Sequence, residues 1–199
     1  MDTKVILGCG GHAFNIAEII LCQEPNVRLL FFDETAKINE NKLGFPVTNK
    51  LPSIKCRYIV GIGDNAKRKK KFEELNPDEV FSAISPKAYC GIMTKIGIGC
   101  FVAHMCTICA GTEIGENSIL GTSCVIAHDC QVGRHCFVGP NATLAGYARL
   151  GDMVFIGAGA TVIDKISICS GAIVGAGATV IDDITEPGTY VGIPARRIK

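Results

Sequence analysis

Between Ile96 and Thr185 the chain repeats every six residues without a break. The first residue of each hexapeptide is aliphatic, from Ile96, Val102, Ile108 and Ile114 through Ile126 and Leu144 to Val174 and Val180. The fifth is usually small, as at Cys100, Thr112, Ser118, Ala142 and Ala178, and the second is often Gly or Ala. A fixed short period of this kind specifies a solenoid. Side chains alternate faces along a strand, so six residues supply a short strand and a turn. Three hexapeptides make one triangular coil, with the aliphatic residue inside and the small one where the chain turns. The register extends back to Ile84, less regularly through Cys90 to Lys95, which gives five to six coils.

The first eighty residues follow another pattern. Lys4 to Leu7, Arg28 to Phe32 and Tyr58 to Ile62 read as apolar strands. Ala13 to Leu21 and the charged run Ala66 to Leu75 read as helices, with Phe45 to Thr48 a further short strand in a loop. Alternating strands and helices specify a small parallel α/β domain of Rossmann-like type. The division therefore falls at 1–80 and 81–199, with a linker at Asn76 to Pro86.

The formal net charge is +1 over 199 residues, so bulk charge points to neither nucleic acid nor a membrane surface as a partner. No apolar run is long enough to span a bilayer, and the N-terminus lacks the features of a secretory signal. A cytoplasmic location is expected. Of the eleven cysteines, Cys100, Cys106, Cys124, Cys130 and Cys136 occupy the small fifth slot. They read as packing thiols in a reducing compartment. The one CxxC pair, Cys106 and Cys109, has no second pair to complete a zinc site, so the competing zinc reading is weak and no metal is expected.

Two constellations carry chemistry. Gly8-Cys9-Gly10-Gly11-His12 follows the first strand and opens the first helix, where exposed backbone N–H groups favour phosphate. Asp33, Gly63, Asp64 and Asn65 also fall at strand ends, where ligands of parallel sheets collect. The loop is not a full dinucleotide fingerprint, and the domain is short for two mononucleotide halves, so a mononucleotide-sized ligand suits it better. The run Lys67 to Lys71 reads as a solvated helix face. In the repeats, His104, His128 and His135 all fall at third or fourth positions and are expected to face outward. His128 is followed by Asp129, and Gly146, eighteen residues on, should stack one coil above it. A base beside an exposed backbone N–H is what acyl transfer requires.

Taken whole, the chain resembles the sialic-acid O-acetyltransferase-like sugar acyltransferases, especially the nucleotide-linked 4-amino-sugar N-acetyltransferases of bacillosamine type. The resemblance is carried by Gly8 to Ala13, by Ile62-Gly63-Asp64-Asn65 before Arg68-Lys69, by Leu120 to Cys130 with Ala145-Gly146, and by Val191 to Arg197. It implies a left-handed parallel β-helix, a homotrimer, and acetyl-CoA lying in a groove between two β-helices. It assigns His128 as the base, Asp129 as its acidic partner and Gly146 as the oxyanion donor. It places a UDP-like nucleotide sugar on the N-terminal domain, with Gly10, Gly11 and His12 near the phosphates or sugar and Asp33, Gly63, Asp64 and Asn65 near the base. Gly146, the small third-slot residues Ala158 and Ala176, and Arg196 with Arg197 are the expected contacts of acetyl-CoA. Asp129, Gly121 and Phe137 stand where the bacillosamine enzymes tend to have Glu, Asn and a second His. The other classes considered are an O-acetyltransferase of a sialic-acid-like sugar, a metal-dependent hydratase using His104, His128 and His135, and a non-catalytic nucleotide-sugar sensor.

Overall fold

The computed structural model describes residues 3–37 and 39–199; Met1, Asp2 and Ile38 lie outside it. The N-terminal domain contains β1 (Thr3–Leu7), α1 (Gly11–Gln23), β2 (Arg28–Phe32), β3 (Asn41–Lys42), β4 (Phe45–Thr48), β5 (Cys56–Val60) and α2 (Asn65–Glu73). Its sheet has the order β3-β4-β2-β1-β5, parallel except for β3. β1 lies inside the sheet between β2 and β5 and is buried along its whole length, which explains its apolar run Val5–Leu7. The β3–β4 hairpin was not legible in the sequence. Its turn residues are Leu43 (φ 53°) and Gly44 (φ 84°), a left-handed pair without the usual Asn-Gly signature.

A 3-10 turn at Pro77–Glu79 leads into the solenoid, whose first strand is Ala83–Ile84. From there two-residue strands stack in parallel, each pairing with the strand one coil away. They form three faces. The Phe101 face presents Phe101, Ile119, Phe137, Phe155 and Ile173 outward. The Thr107 face presents Tyr89, Thr107, Val125, Thr143, Thr161 and Thr179. The Glu113 face presents Lys95, Glu113, Gln131, Arg149 and Ser167.

The interior is one column. The first-slot aliphatics from Val102 to Val180 are buried, and so are the fifth-slot residues, including Cys100, Cys106, Cys124, Cys130 and Cys136. All eleven cysteines are free thiols. Fourth-slot residues at many corners adopt left-handed backbone, including Asp129 (φ 57°), His135 (φ 58°) and Tyr147 (φ 62°). The corners thus repeat one conformation and bring equivalent side chains into register.

The two domains share a core. The apolar stripe of α1 (Ala13, Ile16, Ala17, Ile19, Ile20) joins one buried cluster with Phe101, Ala103 and Ile119 of the solenoid. Burial on the Phe101 face decreases upward: Phe101 is 4% exposed, whereas Ile173 is 42% exposed.

Candidate active site

His128 sits on the edge between the Thr107 and Glu113 faces, in the turn between strands Val125–Ile126 and Gln131–Val132. Its Nδ1 lies 2.9 Å from Asp129 Oδ2, so the carboxylate holds the proton on Nδ1 and leaves Nε2 as the basic atom. The Asp129 carboxylate lies beside Gly111, where a Cβ would stand 2.6 Å from its Oδ1. One coil above, Gly146 faces the imidazole: a Cβ there would meet His128 Nε2 at 2.8 Å. The Gly146 carbonyl accepts the Lys165 N–H, while the Gly146 N–H has no acceptor among the described residues. Tyr147 closes one side, edge-on to the imidazole with ring centroids 5.1 Å apart. A basic atom, an orienting carboxylate and a free backbone donor therefore meet at one exposed edge.

The other histidines lie on other edges. His104 occupies the edge between the Phe101 and Thr107 faces, with Nδ1 2.6 Å from Ser85 Oγ. His135 occupies the third edge and corrects the expectation that it faces outward: it is 4% exposed. The cause is the docking of α2, whose Phe72 ring lies 5.7 Å from the imidazole. The His135 Nδ1 pairs with Asn117 Nδ2 at 2.8 Å, and burial lowers its pKa. Three histidines on three edges do not converge, and among the described residues no three His, Cys, Asp or Glu side chains gather as a metal-ligand group.

The strand ends of the N-terminal domain surround two cavities. One, about 280 Å³, is lined by Gly8, Asp33, Thr35, Ile62 and Lys71 among others. Here Asp33 accepts hydrogen bonds from the Thr35 N–H (2.9 Å), the Thr35 hydroxyl (2.6 Å) and the Cys9 thiol (3.1 Å). These bonds, those from Thr35 above all, hold its pKa below the usual carboxylate value. Burial and the Asp33 bond push the Cys9 thiol up to about 11. The other cavity, about 390 Å³, lies between Gly63–Ala66 and the solenoid residues Met153, Phe155, Gly171 and Ile173.

The glycine loop behaves differently at each residue. Gly10 caps α1 without a side-chain bond, and neither Gly10 nor Gly11 has any atom within 4 Å of where a Cβ would stand. Open space and uncapped first-turn donors suit an anionic ligand. His12 departs from the expectation of a ligand-facing side chain. Its ring packs edge-on against Phe101 at 4.9 Å, and its Nε2 is buried without a partner. Burial, aided by Arg68, lowers its pKa to about 4 and leaves it neutral at pH 7.

Asp64 and Asn65 also have partners within the protein. Asp64 caps α2 by accepting the Lys67 N–H at 2.8 Å. Asn65 donates to the Met153 carbonyl at 3.2 Å and accepts from Arg68 Nη2 at 2.7 Å. The basic run Lys67 to Lys71 reads as a solvated face, yet Arg68 within it is 1% exposed. Its guanidinium reaches the carbonyls of Asn117 (2.9 Å), Gly63 (3.0 Å) and His135 (2.9 Å), which joins α2 to the solenoid. The spacing of Asn65 and Arg68 placed both on one helical turn, but no local signal marked that turn as buried.

Ala158 and Ala176 are exposed third-slot residues on the edge between the Phe101 and Thr107 faces. Within one chain they are therefore separated from His128 by the width of the Thr107 face. The terminal arginines are committed locally. Arg197 pairs with Glu186 at 2.5 Å and donates to the Pro187 and Lys199 carbonyls, and Arg196 lies 3.6 Å from Asp182.

Comparison with known proteins agrees with this architecture. Residues 5–75 match the PglD N-terminal domain, and residues 111–146 and 147–182 each match the six-repeat bacterial transferase hexapeptide model. No curated protein matches the sequence. Among solved structures, PerB from Caulobacter crescentus, in complex with CoA and GDP-perosamine, is 30% identical, with 100% of this chain and 98% of that one covered and a TM-score of 0.86. The acetyltransferase domain of PglB from Neisseria gonorrhoeae, in complex with acetyl coenzyme A, is 26% identical over 98% of each chain, with a TM-score of 0.88. WeeI from Acinetobacter baumannii, 23% identical over 100% of each chain with a TM-score of 0.92, shares the fold. With a PglD-type N-terminal domain, hexapeptide repeats and a relative of this identity over its whole length, the chain belongs to the PglD-like family of hexapeptide-repeat sugar acyltransferases.

Proposed function

We propose that the protein transfers the acetyl group of acetyl-CoA to the amino group of a nucleotide-linked amino sugar, of UDP-4-amino-sugar type, in the synthesis of a bacterial surface glycan or glycoprotein sugar. The observation that carries this reading is the His128 Nε2 facing Gly146, whose N–H has no acceptor among the described residues, with Asp129 fixing the tautomer. His128 takes the proton of the attacking amine. Asp129 stabilises the imidazolium that results. The Gly146 N–H donates to the oxygen that gains charge as the thioester carbonyl is attacked. His128 then returns the proton to the departing thiolate. The relatives solved with acetyl-CoA, or with CoA and GDP-perosamine, support this choice of co-substrate and acceptor class. Incubation with acetyl-CoA and a panel of nucleotide amino sugars, read by mass spectrometry, tests it. One added acetyl on the sugar nitrogen is expected. Acetylation of oxygen would favour the sialic-acid-type reaction, and no acetyl transfer to any member would reject the proposal.

We further propose that the working form is a homotrimer. The Thr107 face carries no charged side chain and is not covered by the N-terminal domain, whereas the Glu113 face is charged and the lower Phe101 face is buried under α1. An uncharged, uncovered face suits contact with a second copy. Contact there brings His128 of one copy toward the Ala158–Ala176 edge of another, where small side chains leave room for a pantetheine arm. Light scattering is expected to give three times the 21.1 kDa chain mass; a monomer at working concentration would remove this groove. A cytoplasmic location fits free thiols packed in the solenoid. No helix of the described residues is long and apolar enough to cross a membrane.

A further inference from the structure

We propose that Tyr147 is a positioning residue for the transfer reaction, its ring holding the His128 imidazole at the angle that turns Nε2 toward the substrate. The proposal rests on the acetyl-transfer reading above and adds a restraint that neither Asp129 nor the repeat supplies.

The imidazole stands at an exposed edge: the His128 side chain is 56% exposed and that of Asp129 48%. The torsion that turns an imidazole about its Cβ–Cγ bond is broad and two-fold, so rotamer preference does not fix the ring. A half turn would carry Nδ1 off the Asp129 carboxylate and Nε2 away from Gly146. One hydrogen bond between solvated partners resists that turn weakly. Tyr147 supplies a second contact. It stands one coil above Asp129, as Gly146 stands one coil above His128. Its backbone N–H donates to the His128 carbonyl at 3.1 Å, which ties the two corners together. Its ring lies at 90° to the imidazole with centroids 5.1 Å apart, an edge-to-face geometry that aromatic pairs prefer.

The chemistry explains why the second contact is a ring. A general base cannot be held at both nitrogens, because Nε2 must stay open to the proton it takes. An aromatic neighbour restrains the imidazole without occupying that atom. His104 shows the alternative: its Nδ1 meets Ser85 Oγ at 2.6 Å and its Nε2 lies 3.7 Å from Glu18, so both nitrogens are engaged. The fold gives no other reason for the tyrosine. The equivalent corners of the same edge carry Met93, Gly111, Asp129 and Lys165, all with positive φ like Tyr147 at 62°. That backbone favours small or Asx residues, so the turn gains nothing from an aromatic side chain. Nor is the ring part of the core, since Tyr147 is 48% exposed. Its hydroxyl makes no hydrogen bond with any described residue, which leaves the ring as the working part.

Tyr147→Ala is expected to lower kcat about tenfold, the upper end for losing an aromatic pair, with KM for acetyl-CoA and for the amino sugar unchanged. Tyr147→Phe should recover most of that rate, because the ring is kept. In a His128→Ala background Tyr147→Ala should cost nothing more, since the ring acts through the imidazole. A loss that persists there, or one confined to the sugar KM, would make Tyr147 a direct substrate contact and overturn the proposal. So would a Tyr147→Phe variant as slow as Tyr147→Ala. Nitrogen NMR of the histidine-labelled full-length protein, with the ring neutral and His128→Ala assigning its signals, reads the imidazole without turnover. The wild type is expected to show one tautomer, protonated on Nδ1, and Tyr147→Ala a mixture of both. The same tautomer population in the two proteins overturns the proposal. If the wild type acetylates no nucleotide sugar yet Tyr147→Ala mixes the tautomers, the acetyl-transfer reading fails and the restraint on the imidazole stands.

Discussion

His128→Ala is expected to lower kcat by about 10²–10⁴, the usual cost of removing a positioned general base, with KM for acetyl-CoA little changed. The imidazole lies on an exposed edge and takes no part in the buried column, so the variant should keep the wild-type fold. Asp129→Asn should cost less, because it weakens the hold on Nδ1 but leaves a base in place. Gly146→Ala probes the same geometry from the other side. The added methyl would stand 2.8 Å from Nε2, closer than a Cβ contact can be, so the ring must turn away from the substrate although the backbone N–H remains. A fall in kcat without loss of thermal stability is expected there too. His104→Ala provides the comparison, since its ring is tied to Ser85 on another edge and should leave turnover nearly intact. Near-normal kcat for His128→Ala at saturating substrates would sink the mechanism and leave positioning and the Gly146 donor as the source of rate.

What could be read in advance was whatever the six-residue period controls. Because each coil repeats the same corner conformation, residues eighteen apart become neighbours, and the pairing of His128 with Gly146 follows from counting. The same logic placed Cys106 and Cys124 inside, where their sulfurs lie 3.1 Å apart. It failed for His135, which shares the fourth-slot position of exposed corners such as Tyr147. Whether such a corner meets water depends on what docks against it, and α2 covers that one. Asp64 and Asn65 line the cavity at the strand ends as well as capping α2 and bridging to the solenoid, and strand-end polar residues look alike in sequence whichever of these they do. His12 belongs to this group, since its orientation toward Phe101 depends on contact between the domains rather than on the glycine loop. Ala158 and Ala176 are a different case. Their edge was predictable, but joining it to His128 requires a second copy.

Arg68 ties α2 to the solenoid through hydrogen bonds to both domains, and Arg68→Met is expected to be the most destabilising change considered. The guanidinium is buried, and no carboxylate among the described residues pairs with it. Burial lowers its pKa to about 10, which still leaves it charged at pH 7. Its donors go instead to carbonyls of Ile62 (3.3 Å), Gly63 (3.0 Å), Asn117 (2.9 Å), His135 (2.9 Å) and Cys136 (3.1 Å), and to Asn65 Oδ1 (2.7 Å). The Cys136 carbonyl also accepts the Ile119 N–H, whereas the Asn117 and His135 carbonyls have no other described donor. Methionine fills much of the volume but satisfies none of these acceptors. Relief from burying a charge offsets part of the loss, and the net cost is about 3–5 kcal/mol, the range for breaking a buried charged network. Lysine should recover only a fraction, because three donors on one nitrogen cannot span carbonyls of both domains. The solenoid core does not include Arg68, so calorimetry of the Arg68→Met variant should show an early transition for the N-terminal domain ahead of the solenoid. The acceptor KM should rise in step, since Ile62 and Gly63 adjoin the two cavities at the strand ends. A single transition at the wild-type temperature, with an unchanged acceptor KM, would show that apolar contact between α1 and Phe101 holds the domains together without the guanidinium.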